Sequence, residues 1–542
     1  MNNSAVKKTH SFSIIIVGHH PSVFPGKGGF SEEERDFFES LSETWLPLLD
    51  LCDRLEKEGV PFCFGMVLSP SLCDMLQNGK LLERYLVWLD KRIEFGEGEL
   101  RRWPANSEMK ALAEQYYGQD CRRKAALMDQ FGMDLLGAFK DFQNRGRLEF
   151  LLTAATNAYL PFYVSMGGAI RAQIETALIH HKKYFGKVPV GFWLPELGWT
   201  AELGAYLCEY GFNYTITEAH ALILGNPPAE KGFFYPVRTS SGLAVLGQDS
   251  NARRDLENLI NTGADIYRSC LDAGFEFSAR ALKQLMGSGN SRYSTGYRYW
   301  TNRSKEKLQC YNPQAAAENA AEAAKSFFDL RSSRLEAAGQ YLENPVSVWA
   351  FDADSLFRFW YEGSFFLETL IKEIARGNTS AQSDADGLRL CTPSTYLAGL
   401  SGAFQVMEPG FSSSLSNGYA ELLLDVSNDW IYRHLFRSIE RMTEITRRFS
   451  DDTGLKERAL NQAARELLFA QSTDWSKALN PQYQSRVNKD YAEQELEGAL
   501  RNFTTIYEAL GKGHINTEWL TALERKHSFL PHINHRVFGQ KD

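Results

Sequence analysis

The chain has 542 residues, 44% of them hydrophobic and 23% charged, a globular balance that excludes a disordered chain. Its 59 basic residues against 67 acidic ones leave a formal charge of −8, which argues against nucleic acid as a partner, because phosphate binding calls for a basic surface. No apolar stretch approaches the ~20 residues of a spanning helix, so no membrane partner is expected either.

Read in chain order, residues 12–18 (FSIIIVG) form a continuous apolar run, β-branched at its centre, as in a strand buried on both faces. Lys7 and Lys8 precede this run, but it is short and His19, His20 and Pro21 follow it in place of a small-residue cleavage site. The segment therefore reads as the first strand of a cytoplasmic protein. A long helix is expected from Ser31, a plausible N-cap with acids in the first turn, to Gly59 as the stop. Further strands are expected over 60–68, 148–154, 188–194, 213–217, 243–247 and 346–351, with several amphipathic helices between about 70 and 145.

Strand and helix in repeated alternation imply parallel pairing with right-handed crossovers, hence a parallel barrel with large helical insertions. After about residue 375 the character changes. Residues 377–387 are polar, and from Asn428 onward strand signals give way to helices over 429–449, 455–471 and 489–510. The eight cysteines form no CxxC pair and several sit in apolar runs, which reads as buried free thiols in a reducing compartment.

In parallel barrels the working residues stand just past the C-terminal ends of the strands. His19, Glu196 and Asp352 each follow an expected strand. Glu196 lies in the aromatic segment GFWLPELGW, whose apolar surroundings raise a carboxylate's pKa unless donors or cations offset them. Asp352 lies in WAFDADSLFRFWYEG, with Asp354 and Glu362 among six aromatics. Two carboxylates at one barrel rim suit glycosidic bond chemistry, one as nucleophile and one as general acid/base. An acid ending an apolar strand is equally the place for a helix N-cap or a structural ion pair, and Asp354 reads as such a helix acid. The histidine pairs 19–20 and 180–181 are adjacent and point apart, so a shared metal is not expected. HExxH, GxSxG and Walker A motifs are missing.

GFWLPELGW resembles the GxWLPE motif of glycoside hydrolase family 57, and FDADSLFRFWYEG resembles that family's D-x-E-L-F-G-H-W-W-F-E-G motif. LEFLLTAATNAYLPF resembles its T-A-A-T-H segment. GFFYPVRTSSGLAVLGQD and STGYRYWTN resemble intervening segments, and TPSTYLAGLSGAFQVMEPGFSSS, RELLFAQSTDW and DYAEQEL resemble the C-terminal region of its α-1,4-glucan branching enzymes. The likeness runs in order from about residue 12 to about 510.

The resemblance implies an α/β fold, a distorted (β/α)7 barrel over 1–380 with a helical insertion at about 70–145, followed by an all-helical C-terminal domain over 390–542. It implies a retaining mechanism without metal or organic cofactor, with Glu196 as nucleophile and Asp352 as general acid/base. His19, matching the second histidine of an H-x-H motif, is expected at the sugar. Asn157, Trp193, Arg268, Gly296, Trp300, Trp360, Asp474 and Trp475 are the other expected glucan contacts. The partner implied is an α-glucan polysaccharide or maltooligosaccharide; the oligomeric state is not indicated.

Several positions depart from the family pattern. Val17 replaces the first histidine of H-x-H, Asn157 replaces the histidine of T-A-A-T-H, and Ser414 stands where branching enzymes carry a tryptophan. The segment 221–232 is short where some branching enzymes use a longer loop to shield the intermediate. Three functions stay open on this basis: a branching enzyme, an α-amylase-like hydrolase using the same intermediate, and a non-catalytic glucan-binding protein on an enzyme fold.

Overall fold

Hydrophobic runs buried on both faces assemble into one closed ring. The computed structural model describes residues 9–261, 271–272, 277–278, 280–282, 294–301, 309–379, 387–483, 485 and 487–539. Seven parallel strands form the ring: β1 (Thr9–Gly18), β2 (Phe64–Leu68), β3 (Leu148–Leu151), β4 (Gly191–Phe192), β5 (Tyr214–Glu218), β6 (Ala244–Gln248) and β7 (Val346–Asp352). Their order is β3-β2-β1-β7-β6-β5-β4. The ring closes through Leu152, whose amide donates to Gly191 O (3.0 Å) and whose carbonyl accepts from Trp193 N (2.6 Å).

Side chains alternate along each strand. Ile15, Val67, Leu151, Ile216, Leu246 and Val348 point inward and fill the lumen. Ile14, Ile16, Met66, Phe150 and Trp349 point outward against helices. Both sets are apolar, which is why the strands read as continuous hydrophobic runs.

The expected strands are shorter at the ends of three segments. The ladder begins at Phe64, not residue 60, and β4 covers Gly191–Phe192, not 188–194. Pro61 and Pro189 carry no amide to donate, so the apolar run continues where pairing cannot. β3 stops at Leu151, with Leu152 as a single bridge beyond it.

The expected helix after Ser31 spans Glu32–Lys57, opened by a capping box between Ser31 and Glu34 and interrupted by one π turn at Leu41–Trp45. That turn lowers Trp45 onto the end of β1. A Cβ at Gly18 would lie 2.4 Å from the Trp45 ring and 2.9 Å from Val67 O, so only glycine fits there.

Helices Pro70–Leu76, Gly79–Arg102, Glu108–Ala125 and Leu135–Asn144 form the insertion between β2 and β3. A small antiparallel sheet of Leu271–Asp272, Arg298–Thr301 and Gln309–Cys310 accompanies it.

The C-terminal helices Trp430–Arg448, Leu455–Ala470, Lys489–Lys512 and Thr517–Lys526 share one core with the barrel. Ile170 and Ile174 of helix Gly167–Phe185, Leu152 and Phe192 lie in the same apolar cluster as Leu435, Leu467 and Phe503. Among the described residues no helix is long and apolar enough to cross a membrane, and the seven described cysteines are free thiols.

Candidate active site

Five strand ends and one C-terminal helix converge on a cavity of about 540 Å³ lined by Glu196, Asp352, His19, Asn157, Trp193, Gln248 and Asp474. Beyond β4 the chain turns sharply. Glu196 (φ 54°, ψ 21°) and Leu197 (φ 48°) both adopt the left-handed conformation, which costs roughly 1–2 kcal/mol per non-glycine residue. The turn is held from outside: the Glu196 carbonyl accepts from Ser414 N (2.6 Å) and Ser413 Oγ (3.0 Å). Strain retained at a carboxylate facing a cavity is characteristic of working sites.

The Glu196 carboxylate is gripped on one oxygen. Oε1 accepts from Lys477 Nζ and lies 3.4 Å from Thr473 Oγ1. Among the described residues Oε2 has no hydrogen-bond partner. Burial pushes the Lys477 ammonium pKa down, but Glu196, Tyr483 and Asp474 outweigh burial and hold it above the ordinary lysine range.

At the end of β7, Asp352 is exposed to the cavity, and its Oδ1 accepts from Ser355 N at 2.7 Å, capping the short helix Ala353–Phe357. Asp354 turns the other way: buried, its Oδ1 accepts from Ser40 Oγ (2.7 Å) and Thr44 Oγ1 (2.6 Å) and ties that helix to the π turn.

After β1, His19 bridges Ser69 Oγ on Nδ1 (2.9 Å) and Asp474 Oδ2 on Nε2 (2.9 Å). A carboxylate only accepts, so Nε2 carries the proton. Burial raises the Asp474 pKa, yet His19, Lys477 and Ser472 together hold it well below the usual carboxylate range. After β3, Asn157 sits at φ 55°, its Nδ2 donating to Thr473 Oγ1 (3.0 Å) and its carbonyl accepting from Thr473 N (3.2 Å).

The other expected contacts lie elsewhere. Trp475 is buried on the far side of its helix, its indole N–H donating to Phe469 O (2.7 Å), because positions 474 and 477 take the cavity face. Trp360 packs in the core 5.1 Å from Phe366. Trp300 belongs to the small antiparallel sheet and packs against the cluster of Tyr297 and Tyr299. Gly296 (φ 77°) is buried where a Cβ would meet Arg92, 2.0 Å away. These four do not line the cavity, and Arg268 lies outside the described residues.

Sequence reasoning passed over Lys477, Gln248 and Arg253, which do line it. Gln248 ends β6 and, among the described residues, buries both amide atoms without a hydrogen-bond partner, so the strand-end rule alone points to it. Lys477 stands three residues after Asp474, the spacing that places both on one helix face. The short segment 221–232 folds away from the cavity. Asn226 N donates to Glu408 O (2.9 Å) and Glu230 N to Gln405 Oε1 (2.8 Å), and none of its residues lines the site.

Comparison with known proteins places this arrangement in context. The model described as glycosyl hydrolase family 57 matches residues 85–406, and the model described as 1,4-alpha-glucan branching enzyme, C-terminal, matches residues 434–538. The chain is 25% identical over 543 residues to the 1,4-alpha-glucan branching enzyme TK1436 of Thermococcus kodakarensis, covering 95% of this chain and 76% of that protein. Its fold is similar to the alpha-amylase AmyC from Thermotoga maritima, with TM-score 0.88 and 28% identity over 99% of this chain and 100% of that one. It is also similar in fold to a branching enzyme from Pyrococcus horikoshii, with TM-score 0.84 and 21% identity over 99% and 98% of the two chains.

Proposed function

The chain belongs to glycosyl hydrolase family 57, and from that premise we propose that it is an α-1,4-glucan branching enzyme working by double displacement with retention. The observation that carries this reading is that Glu196 and Asp352, distant in sequence, line one cavity at the open end of the barrel. Glu196 Oε2 attacks the anomeric carbon of an α-1,4-linked glucose while Asp352 protonates the departing oxygen. A 6-hydroxyl of another glucan chain then gives its proton to Asp352 and displaces Glu196, forming an α-1,6 branch. The amide of Gln248 is placed to hydrogen-bond sugar hydroxyls, His19 stands in the cavity wall with its ring fixed by Ser69 and Asp474, and Trp193 offers an apolar face. The C-terminal match to branching enzymes and the likeness to TK1436 favour transfer over hydrolysis. The free thiols support a reducing, cytoplasmic setting.

Hydrolysis is the second reading. It is favoured by segment 221–232, none of whose residues lines the cavity, and by the likeness to AmyC. Incubation with amylose separates the two: new α-1,6 linkages mean branching, and new reducing ends alone mean hydrolysis. Binding and thermal protection by maltooligosaccharide with no rearranged bonds would instead mean a non-catalytic binding protein. Glu196→Gln is expected to abolish turnover while leaving maltooligosaccharide affinity within a few-fold; retained turnover would remove Glu196 from its role.

A further inference from the structure

We propose that Lys477 is the positioning residue of the nucleophile: its ammonium holds Glu196 by Oε1, supplies the positive charge that Asn157 cannot, and leaves Oε2 to attack. This rests on the reading of Glu196 as nucleophile.

Helix Thr473–Leu479 opens on Ser472, whose Oγ accepts from Asp474 N. Thr473 and Lys477, four residues apart, stand one above the other, and both reach Glu196 Oε1. Asp474 beside them reaches His19. One helical turn thus addresses the nucleophile with a cation and the sugar-site histidine with an anion.

The other basic groups lining the cavity are otherwise engaged. Arg253 donates to Ser414 O and pairs with Glu218 and Glu257, and His19 faces Asp474. Asn157, where the family motif carries a histidine, turns its amide to Thr473 and bears no charge. An ordinary buried ion pair would have no reason to sit with its carboxylate on a strained left-handed residue open to a sugar-sized cavity.

The chemistry gives the contact a role in both steps. In the first, a lone pair of Oε2 forms the bond to the anomeric carbon as the glycosidic C–O bond breaks, and Asp352 gives its proton to the departing oxygen. Oε1 becomes the ester carbonyl, still against the ammonium. In the second, the acceptor oxygen bonds to the anomeric carbon, its proton passes to Asp352, and the C–Oε2 pair returns to the carboxylate. Lys477 on Oε1 stabilises that departing carboxylate, so it favours turnover of the glycosyl-enzyme.

The test compares Lys477→Met and Lys477→Arg with the unmodified enzyme on amylose. The acidic limb of the kcat/KM profile reports ionisation of the free carboxylate. In Lys477→Met it is expected to move upward by about one pH unit or more, the effect of losing an opposite charge at this range. kcat and KM should fall together, with glycosyl-enzyme accumulating by intact-protein mass spectrometry. Lys477→Arg should keep the limb within a few tenths of a unit. The groups sharing the cavity are His19, Asp352, Asp474, Arg253 and Glu257, with Tyr159 and Tyr483 as neighbouring phenols, and all are unchanged in both variants. Lys477→Gln replaces the methionine variant if thermal melting shows that one unfolded.

An unmoved acidic limb, or an equal shift in the arginine variant, overturns the assignment. Glu196→Gln run in parallel separates the failures. If it is inactive while the Lys477 profiles are unmoved, only Lys477 loses its role; if it is active, the nucleophile itself is misassigned.

Discussion

Several side chains at the cavity are set by specific partners, and His19 shows how much rests on them. Its Nε2–H donates to a carboxylate that burial alone would neutralise and that His19, Lys477 and Ser472 keep ionised. Because the folded pKa lies below the unfolded one, near 3.9, this carboxylate's stabilising contribution is complete above that pH and is lost as pH falls through the folded value. Asp474→Asn keeps the shape and removes the charge. A hydrogen bond to a charged group is worth about 1.5–3 kcal/mol, so kcat/KM on amylose should fall by about tenfold to hundredfold. Far-UV circular dichroism should not change. Full activity in this variant would mean that His19 needs no charged partner to orient it.

Between elements, part of the fastening is ionic. Arg92 of helix Gly79–Arg102 is buried, with Nε 3.1 Å from Asp120 and Nη1 3.8 Å from Glu43 of the π turn; Arg298 from the small sheet closes on Glu43 at 2.7 Å. Burial raises the Glu43 pKa, but Arg298, Arg92 and Arg123 bring it down to about 2. The folded value is depressed, so this stabilisation is present above the unfolded value near 4.3 and fades as pH falls towards 2. Arg92→Met leaves two buried carboxylates short of a cation, which costs about 3–5 kcal/mol. Urea denaturation at pH 7 should show that loss, and the gap from the unmodified chain should narrow below pH 4; a gap constant with pH would place the loss in packing. The barrel strands and the helices at 430–448, 455–470 and 489–512 were legible in the sequence because burial on two faces or on one stripe leaves a periodic signature. Strand ends were less so, because apolarity outlasts pairing at Pro61 and Pro189. The carboxylates, His19, Asn157 and Asp474 were legible through motif and strand-end position. Lys477 and Gln248 carried only the weaker signals of helix spacing and strand-end position, because a lysine on a helix and a glutamine ending a strand look ordinary until tertiary packing buries them. Trp475, Trp360 and Trp300 mislead for the opposite reason: an indole that suits a sugar suits a core equally well.

At the scale of the molecule, neither part makes the site alone. The barrel provides Glu196, the proposed nucleophile, at the end of β4 and Asp352, the proposed proton carrier, at the end of β7. The C-terminal helices provide the cation on that carboxylate and the anion on His19. The same division appears in the core, where Ile170, Ile174, Leu152 and Phe192 from the barrel side are covered by Leu435, Leu467 and Phe503. A fully buried aliphatic or aromatic side chain contributes about 1.5–3 kcal/mol, and native stability is only about 5–15 kcal/mol. Uncovering even a few such residues therefore exceeds what the barrel could hold in reserve. A chain ended at residue 428 is expected to aggregate when expressed, and co-expression of residues 429–542 should recover soluble, amylose-active material. The intact chain should melt in one calorimetric transition, since the shared cluster couples both parts. A soluble, monomeric 1–428 fragment with native circular dichroism and undiminished maltooligosaccharide affinity would mean that the helices merely decorate the barrel. The paired contacts at Glu196 and His19 argue that they complete it.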